Sequence, residues 1–270
     1  MPAAQTLNVS TATKAGSRHK PNEDRVFAAA DVVVLLDGAT GSASPRTGGW
    51  YAQGLGETIV GQLERTPERD LARVLADSIF VLADRHGLVP GECPMATTSI
   101  VRVRSDMLDV LVLGDSPVVL RTQDGRIQSV DDQRLQRVAV TERARLRAAG
   151  EAERAAVRST LLKAEAKCRN RPGGYWIAEA DPEAAYHALS LSVPFSEVDA
   201  ALIVSDGVSA GVERYGCPGS WEEALHIASQ SPSALIDCVL DAELTDPERV
   251  RWRRSKRHDD KTVAHIRIRD

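Results

Sequence analysis

Four apolar runs in this chain meet acids at their ends. Val32-Val33-Val34-Leu35-Leu36 leads into Asp37-Gly38, Ala201-Leu202-Ile203-Val204 into Ser205-Asp206-Gly207, and Leu111-Val112-Leu113 into Gly114-Asp115-Ser116, while Asp259-Asp260 stands just ahead of the run that begins at Thr262. A lone Asp-Gly is an ordinary turn dipeptide. Several strand-end carboxylates are a different matter if the ends meet. Like charges crowded at a partly desolvated rim cannot all stay ionised without raised pKa values or a counter-cation. Hard divalent cations that prefer oxygen ligands, Mg²⁺ or Mn²⁺, meet that need. Asn22-Glu23-Asp24 adds two more acids ahead of the run that starts at Val26. Gly38 and Gly207 directly follow their acids, and a residue without Cβ lets the backbone come close to a metal or a phosphate. No Cys or His joins these acids at zinc spacing.

The elements that must position these acids can be read from periodicity. Leu7 to Thr13 reads as a strand. Val26 to Leu36 reads as two buried strands meeting near Ala30 and Asp31. Helices are expected from Pro45 to about Glu64 and from Asp70 to His86, the second stopped by Gly87. Ala96 to Val130 divides into four short strands punctuated at Ser105-Asp106, Asp115-Ser116 and Asp124-Gly125, an antiparallel meander whose last turn is expected to be type I′. Asp131 to Asn170 is rich in Arg, Glu and Ala and predicts two helices broken near Gly150, followed by the loop Arg169-Asn170-Arg171-Pro172-Gly173-Gly174. Strands follow at Ala188–Val193 and Ala200–Ser205, helices at Trp221–Ser229 and Ser233–Glu243, and a last strand at Thr262–Ile268. The order predicts an α+β fold, with helices outside a large antiparallel sheet system.

The bulk properties limit the partners. The chain has 270 residues, 43% of them hydrophobic, and a net charge of −4. One domain with an insertion is expected, and nothing calls for nucleic acid or an anionic membrane. The basic run Arg249 to His258 is read as a solvated loop that partly offsets the neighbouring acids. The four cysteines, Cys93, Cys168, Cys217 and Cys238, are too scattered for a zinc site or a disulfide framework and fit a reducing cytoplasm. No signal-type or membrane-spanning apolar stretch is seen, so a soluble cytoplasmic protein is expected.

In their order along the chain, the motifs resemble those of the protein phosphatase 2C, or PPM, family. Lys14-Ala15-Gly16-Ser17-Arg18 through Asn22-Glu23-Asp24-Arg25 is similar to the family's opening motif, and Val34 to Gly41 to its DG motif. Ala96-Thr97-Thr98-Ser99 resembles the small-residue strand that follows, and Leu113-Gly114-Asp115-Ser116 the GDS motif. Ser205-Asp206-Gly207-Val208 and Asp259-Asp260-Lys261-Thr262 resemble the two late motifs. The resemblance runs from about Leu7 to Ile268. It implies an antiparallel β-sandwich flanked by helices in α-β-β-α layers, forming a single domain over residues 1–270 with a helical flap at 131–174. It also implies a serine/threonine phosphoprotein phosphatase that uses two Mn²⁺ or Mg²⁺ ions to activate water. Small phosphate esters are not excluded as substrates, and a monomer is expected. By the same resemblance Asp37 would bridge the two metals, Gly38 would offer its carbonyl to one, and Glu23 would bind that one, with Asp24 nearby. Asp206 and Asp259 would hold the other metal, and Asp115 would lie where some members hold a third, looser one. Arg18 would bind phosphate, with Lys20 as a substitute, and Arg169, Asn170 and Tyr175 in the flap loop would be substrate-contact candidates.

Some positions depart from the family pattern. Ala39 stands where many members carry a His that could serve as general acid, Ala210 replaces a third-metal acid, and Arg18 sits one residue further from Glu23 than usual. Two rival readings remain. One is a haloacid-dehalogenase-type phosphatase with Asp37 as nucleophile, which needs a parallel sheet and a second acid at Ala39. The other is a phosphatase-like binding domain without turnover.

Overall fold

The computed structural model describes residues 6–41 and 44–268. In chain order the strands and helices are β1 (Asn8–Lys14), β2 (Arg25–Ala28), β3 (Val32–Leu36), β4 (Gly38–Ala39), α1 (Gly48–Arg65), α2 (Leu71–His86), β5 (Met95–Ala96), β6 (Thr98–Arg104), β7 (Met107–Leu113), β8 (Val118–Thr122) and β9 (Ile127–Val130). Then follow α3 (Arg134–Arg137), α4 (Val140–Ala148), α5 (Glu151–Cys168), β10 (Leu189–Pro194), β11 (Val198–Val204), α6 (Asp206–Ala210), α7 (Trp221–Gln230), α8 (Pro232–Leu244) and β12 (Lys261–Arg267).

Two five-stranded sheets carry the fold, in the orders β1-β12-β11-β8-β9 and β10-β7-β6-β3-β2. Every pairing between named strands is antiparallel. That excludes the parallel sheet which a haloacid-dehalogenase architecture requires.

β3 shows why the layers stack. All five of its residues are buried, because both faces of its sheet are covered. Val33 and Leu35 point into the core between the sheets, among Val101, Val110, Val112, Val118, Leu120, Ile203, Ala264 and Ile266. Val32, Val34 and Leu36 point the other way, onto Leu55, Ile59, Leu75 and Ile79 of α1 and α2. On the far side Leu202, Val204 and Val263 meet Leu225, Leu235 and Val239 of α7 and α8. The period of two along the strands and the apolar stripes on the helices thus yield the expected α-β-β-α order.

Local signals mostly act as read. Asp70 caps α2 by accepting from the Arg73 N–H, and Gly87 ends that helix with φ +60°. The turn between β8 and β9 differs from expectation. Only Gly125 has positive φ, and Gly125 N–H bonds to the Thr122 carbonyl, so the loop is one residue longer than a type I′ turn. The expected meander also divides. β6 and β7 form a hairpin in one sheet, whereas the Gly114-Asp115-Ser116 corner carries the chain across to β8 in the other. Gly114, at φ +88°, packs against the Thr97 side chain at this crossing. The helical segment after β9 is present as α3, α4 and α5, with a small apolar cluster of Val138, Tyr175, Ile177 and Met95 beneath it. The short helix α6 and the wide turn that follows it, Gly211–Tyr215, were not anticipated.

Candidate metal centre

The acids become neighbours through backbone clamps. Asp37, at the end of β3, donates its N–H to Thr97 Oγ1 at 3.2 Å and accepts from the Thr97 N–H at 3.0 Å. Thr97 in turn meets Ser116 Oγ at 2.7 Å, which ties Asp37 to the Asp115 corner. Next along the chain, Gly38 lies so close to the start of α1 that a Cβ there would sit 2.5 Å from the Gly48 carbonyl carbon and 2.7 Å from the Glu23 carbonyl oxygen. Glu23 itself faces that helix. Its Oε1 accepts from Thr40 Oγ1 at 2.5 Å and from the Gly48 N–H at 2.8 Å, at the positive end of α1.

A second clamp comes from Asp260. One carboxylate oxygen accepts the Gly16 N–H and the other the Glu23 N–H, both at 2.8 Å. This pins the opening motif to the late one, 237 residues apart. Gly207 closes on the same place, where a Cβ would lie 2.0 Å from the Asp260 carbonyl oxygen. Ser205 and Thr262 exchange bonds as well, through Ser205 N–H to the Thr262 carbonyl and Thr262 N–H to Ser205 Oγ, both at 3.0 Å. The rim therefore gathers β3, β11 and β12 with the loop before β2.

The electrostatics record the convergence. Burial pushes Asp37 well above the ordinary carboxylate range, and Asp24, Asp206 and Asp259 push it further. Asp206 is raised by burial and by Asp259, and it comes near enough to share a hydrogen bond with Asp37. Asp24 is 3% exposed and reaches about 7, chiefly through burial. Neither of its oxygens has a hydrogen-bond partner of good geometry, although the Thr262 and Ser205 hydroxyls beside it draw its pKa down. Asp115 also rises to about 7 through burial, with Asp206 as the next cause.

The donors are all hard oxygen atoms. Asp24 offers two orphaned carboxylate oxygens to this pocket, a cost that a bound cation would remove. That fits Mg²⁺ or Mn²⁺ in type and place. The arrangement is not a closed ligand sphere, because among the described residues no three Asp, Glu, His or Cys side chains are drawn together closely enough to hold one ion between them.

A lysine stands among the acids instead. Lys256 Nζ lies 2.5 Å from Asp259 Oδ1, and its charge acts on Asp37 and Asp206 too. Burial opposes that charge, yet Asp259, Asp206 and Asp37 hold Lys256 above its usual range. The loop that carries it is solvated as expected at Arg251, Arg253 and Arg257, but not throughout. Arg254 is buried, donating to Asp246 Oδ2 at 2.9 Å and to the Glu243, Asp246 and Trp252 carbonyls. Asp246 also accepts the N–H groups of Val250, Arg251 and Trp252. Buried Glu243 takes both His258 Nδ1 and Lys261 Nζ at 2.8 Å.

The remaining expected residues divide. Arg18 and Lys20 are exposed on the loop that Asp260 clamps, and no hydrogen bond or ion pair ties either to the acids among the described residues. Arg169, Asn170 and Tyr175 turn inward. Arg169 pairs with Glu179 at 3.4 Å, and Asn170 Nδ2 donates to Glu179 Oε1 and to the Ile177 carbonyl, both at 3.1 Å. Tyr175 is buried in the small cluster under the helices. Arg169 thus offsets the charge of buried Glu179, Asn170 adds a hydrogen bond to it, and both remain partly exposed. Sequence reasoning missed Lys256 and the Asp260 clamp. The only available signal was the placement of a basic run directly before Asp259.

No family model matches the sequence, and no curated protein does either. Solved structures do match over nearly the whole chain. The catalytic domain of the serine threonine protein phosphatase PstP, in complex with two manganese ions, aligns with 97% of this chain and 98% of its own at 18% identity, with a TM-score of 0.61. The PPM Ser-Thr phosphatase MsPP from Mycobacterium smegmatis, in complex with cacodylate, aligns over 98% and 99% at 19% identity and TM-score 0.60. The chain has the PPM phosphatase fold. A bacterial serine phosphatase agrees, at 14% identity, 97% and 98% coverage and TM-score 0.62. At these identities the likeness concerns the PPM fold alone, and the chemistry must be argued from the residues.

Proposed function

We propose that the chain is a metal-dependent phosphatase of phosphoserine and phosphothreonine proteins, hydrolysing phosphomonoesters with two Mn²⁺ or Mg²⁺ ions. The observation that carries this reading is the meeting of Asp24, Asp37, Asp206 and Asp259 at one rim of a sandwich of the PPM fold. Asp37, Asp206, Asp259, Glu23 and the Gly38 carbonyl are the proposed ligands. Asp24 is added to them more firmly than the sequence suggested, because it is the acid of its pair that faces Asp37. Asp115 is the proposed ligand of a looser third ion.

When bound, the ions supply an activated water and offset the charge of the phosphoryl group. The protein's own work is positioning. Asp260 fixes the opening loop, and with it the exposed Arg18 and Lys20, which are proposed to take the phosphate oxygens. Ala39 and the engagement of His258 with Glu243 leave solvent as the proton source for the leaving oxygen. The helical segment at 131–174 is the proposed flap, within a single domain spanning 1–270. Cytoplasmic residence and a monomeric state belong to the same reading, and four free cysteines support the first. Among the described residues no helix is long and apolar enough to cross a membrane.

The test is hydrolysis of p-nitrophenyl phosphate and of phosphopeptides with manganese, with magnesium and with EDTA. Turnover that needs a divalent cation and prefers phosphoserine or phosphothreonine peptides is expected. Absence of metal-dependent turnover on every ester would overturn the reading.

A further inference from the structure

We propose that Lys256 is a built-in competitor for the metal centre, a tethered ammonium whose place beside Asp259 a divalent ion contests on binding. This rests on the reading of the acid rim as a metal centre.

Lys256 is placed where the negative charge is greatest. Its ammonium contacts Asp259 Oδ1 at 2.5 Å and lies within electrostatic reach of Asp206 and Asp37. These are three of the proposed ligands. The same Asp259 oxygen also accepts the Asp260 N–H at 3.0 Å, so it is already committed twice. A metal that uses Asp259 Oδ1 must break the lysine pair, and one that takes the other oxygen alone meets the repulsion of the neighbouring ammonium.

The loop that delivers the side chain is tied down on both sides of it. Asp246 gathers three backbone N–H groups and the buried Arg254, and Arg254 also reaches the Arg257 carbonyl at 2.9 Å, just past Lys256. The flap braces the loop from the other side, with Arg154 donating to the Arg254 carbonyl at 3.1 Å and Arg253 to the Arg147 carbonyl at 2.7 Å. The Lys256 side chain, in contrast, is half-exposed. Four flexible carbons carry its charge, so the ammonium can swing to solvent while the backbone stays in place. The exchange is therefore a side-chain event at a fixed address. Its consequence follows from linkage: an ion that binds only the lysine-out state has its apparent affinity reduced by the fraction of time that state exists.

The experiment is Mn²⁺ titration by calorimetry on the full chain, comparing wild type with Lys256→Met, Lys256→Gln and Lys256→Arg. Melting is followed in parallel in EDTA and in manganese. Met and Gln are expected to bind Mn²⁺ about tenfold or more tightly than wild type. They should also melt at a lower temperature in EDTA, because the acids lose their counter-ion, and gain more from added manganese. Arg, which keeps the charge, is expected to stay near wild type in EDTA. Equal or weaker Mn²⁺ binding by both neutral variants would overturn the competitor. Failure of wild type and variants alike to bind Mn²⁺ or Mg²⁺ would overturn the metal centre itself, and the competitor with it.

Discussion

Among single residues, Asp37 and Asp24 make separable claims. Asp37 ends β3 and faces Asp24, Asp206 and Asp259 together. Under the proposed mechanism Asp37→Asn is expected to lose more than about 100-fold in metal-dependent turnover, measured on p-nitrophenyl phosphate. Asp24 governs stability. Its carboxyl sits near 7 in the fold against an ordinary value of 3.8. Well below 3.8 it is protonated in both folded and unfolded chains and contributes no pH dependence. As pH rises from there through 7, the unfolded chain ionises while the fold resists, so stability is lost, on the order of a few kcal/mol in all. Asp24→Asn is therefore expected to melt several degrees above wild type at pH 8 in EDTA, with the gap closing toward pH 4. A constant gap across that range would show that Asp24 is not the group responsible. The acids were legible in the sequence because each stood just before or just after an apolar run. Lys256 was not, because a lysine in a basic stretch carries no mark of which anion it will meet.

At the level of elements, the loop between α8 and β12 holds the most buried charge. Arg254 and Asp246 are each 6% exposed, and truncating Arg254 leaves a buried carboxylate with only its backbone N–H partners and no counter-charge. Arg254→Ala is expected to cost about 3–5 kcal/mol, read as a fall in melting temperature. The α6 start is as tightly constrained. With an added Cβ only 2.0 Å from the Asp260 carbonyl oxygen, Gly207→Ala must push β12 away from Asp206. A cost of about 1–3 kcal/mol and weaker Mn²⁺ binding are expected together, by melting and by calorimetry. Strands and long helices were readable because their periods of two and 3.6 survive in the residue order. The crossing at Gly114-Asp115-Ser116 was not, since a turn between paired strands and a turn between sheets use the same residues. The inward fate of Arg169 and Asn170 was equally hidden, because their partner Glu179 had no feature that set it apart in sequence.

For the molecule as a whole, the two sheets share one apolar interface while each carries its own helical layer. Leu35, at 0% exposure in that interface, is expected to cost about 2–5 kcal/mol when changed to Ala, lowering the melting temperature while leaving the metal requirement of any turnover unchanged. Layer order was foreseeable from apolar patterning together with the motif resemblance. How the acids would be clamped was not, because bonds such as Glu23 N–H to Asp260 span 237 residues. The position of β12, interior to its sheet between β1 and β11, has a further consequence for the nascent chain. While a ribosome is still making the stretch before Asp259, β1 has no neighbour to pair with, and Gly16 and Glu23 have no carboxylate to hold them. The acids already made are then scattered along a half-formed sandwich. The centre is therefore complete only once β12 lies between its two neighbours, so a copy lacking that strand would have the acids without the frame that gathers them.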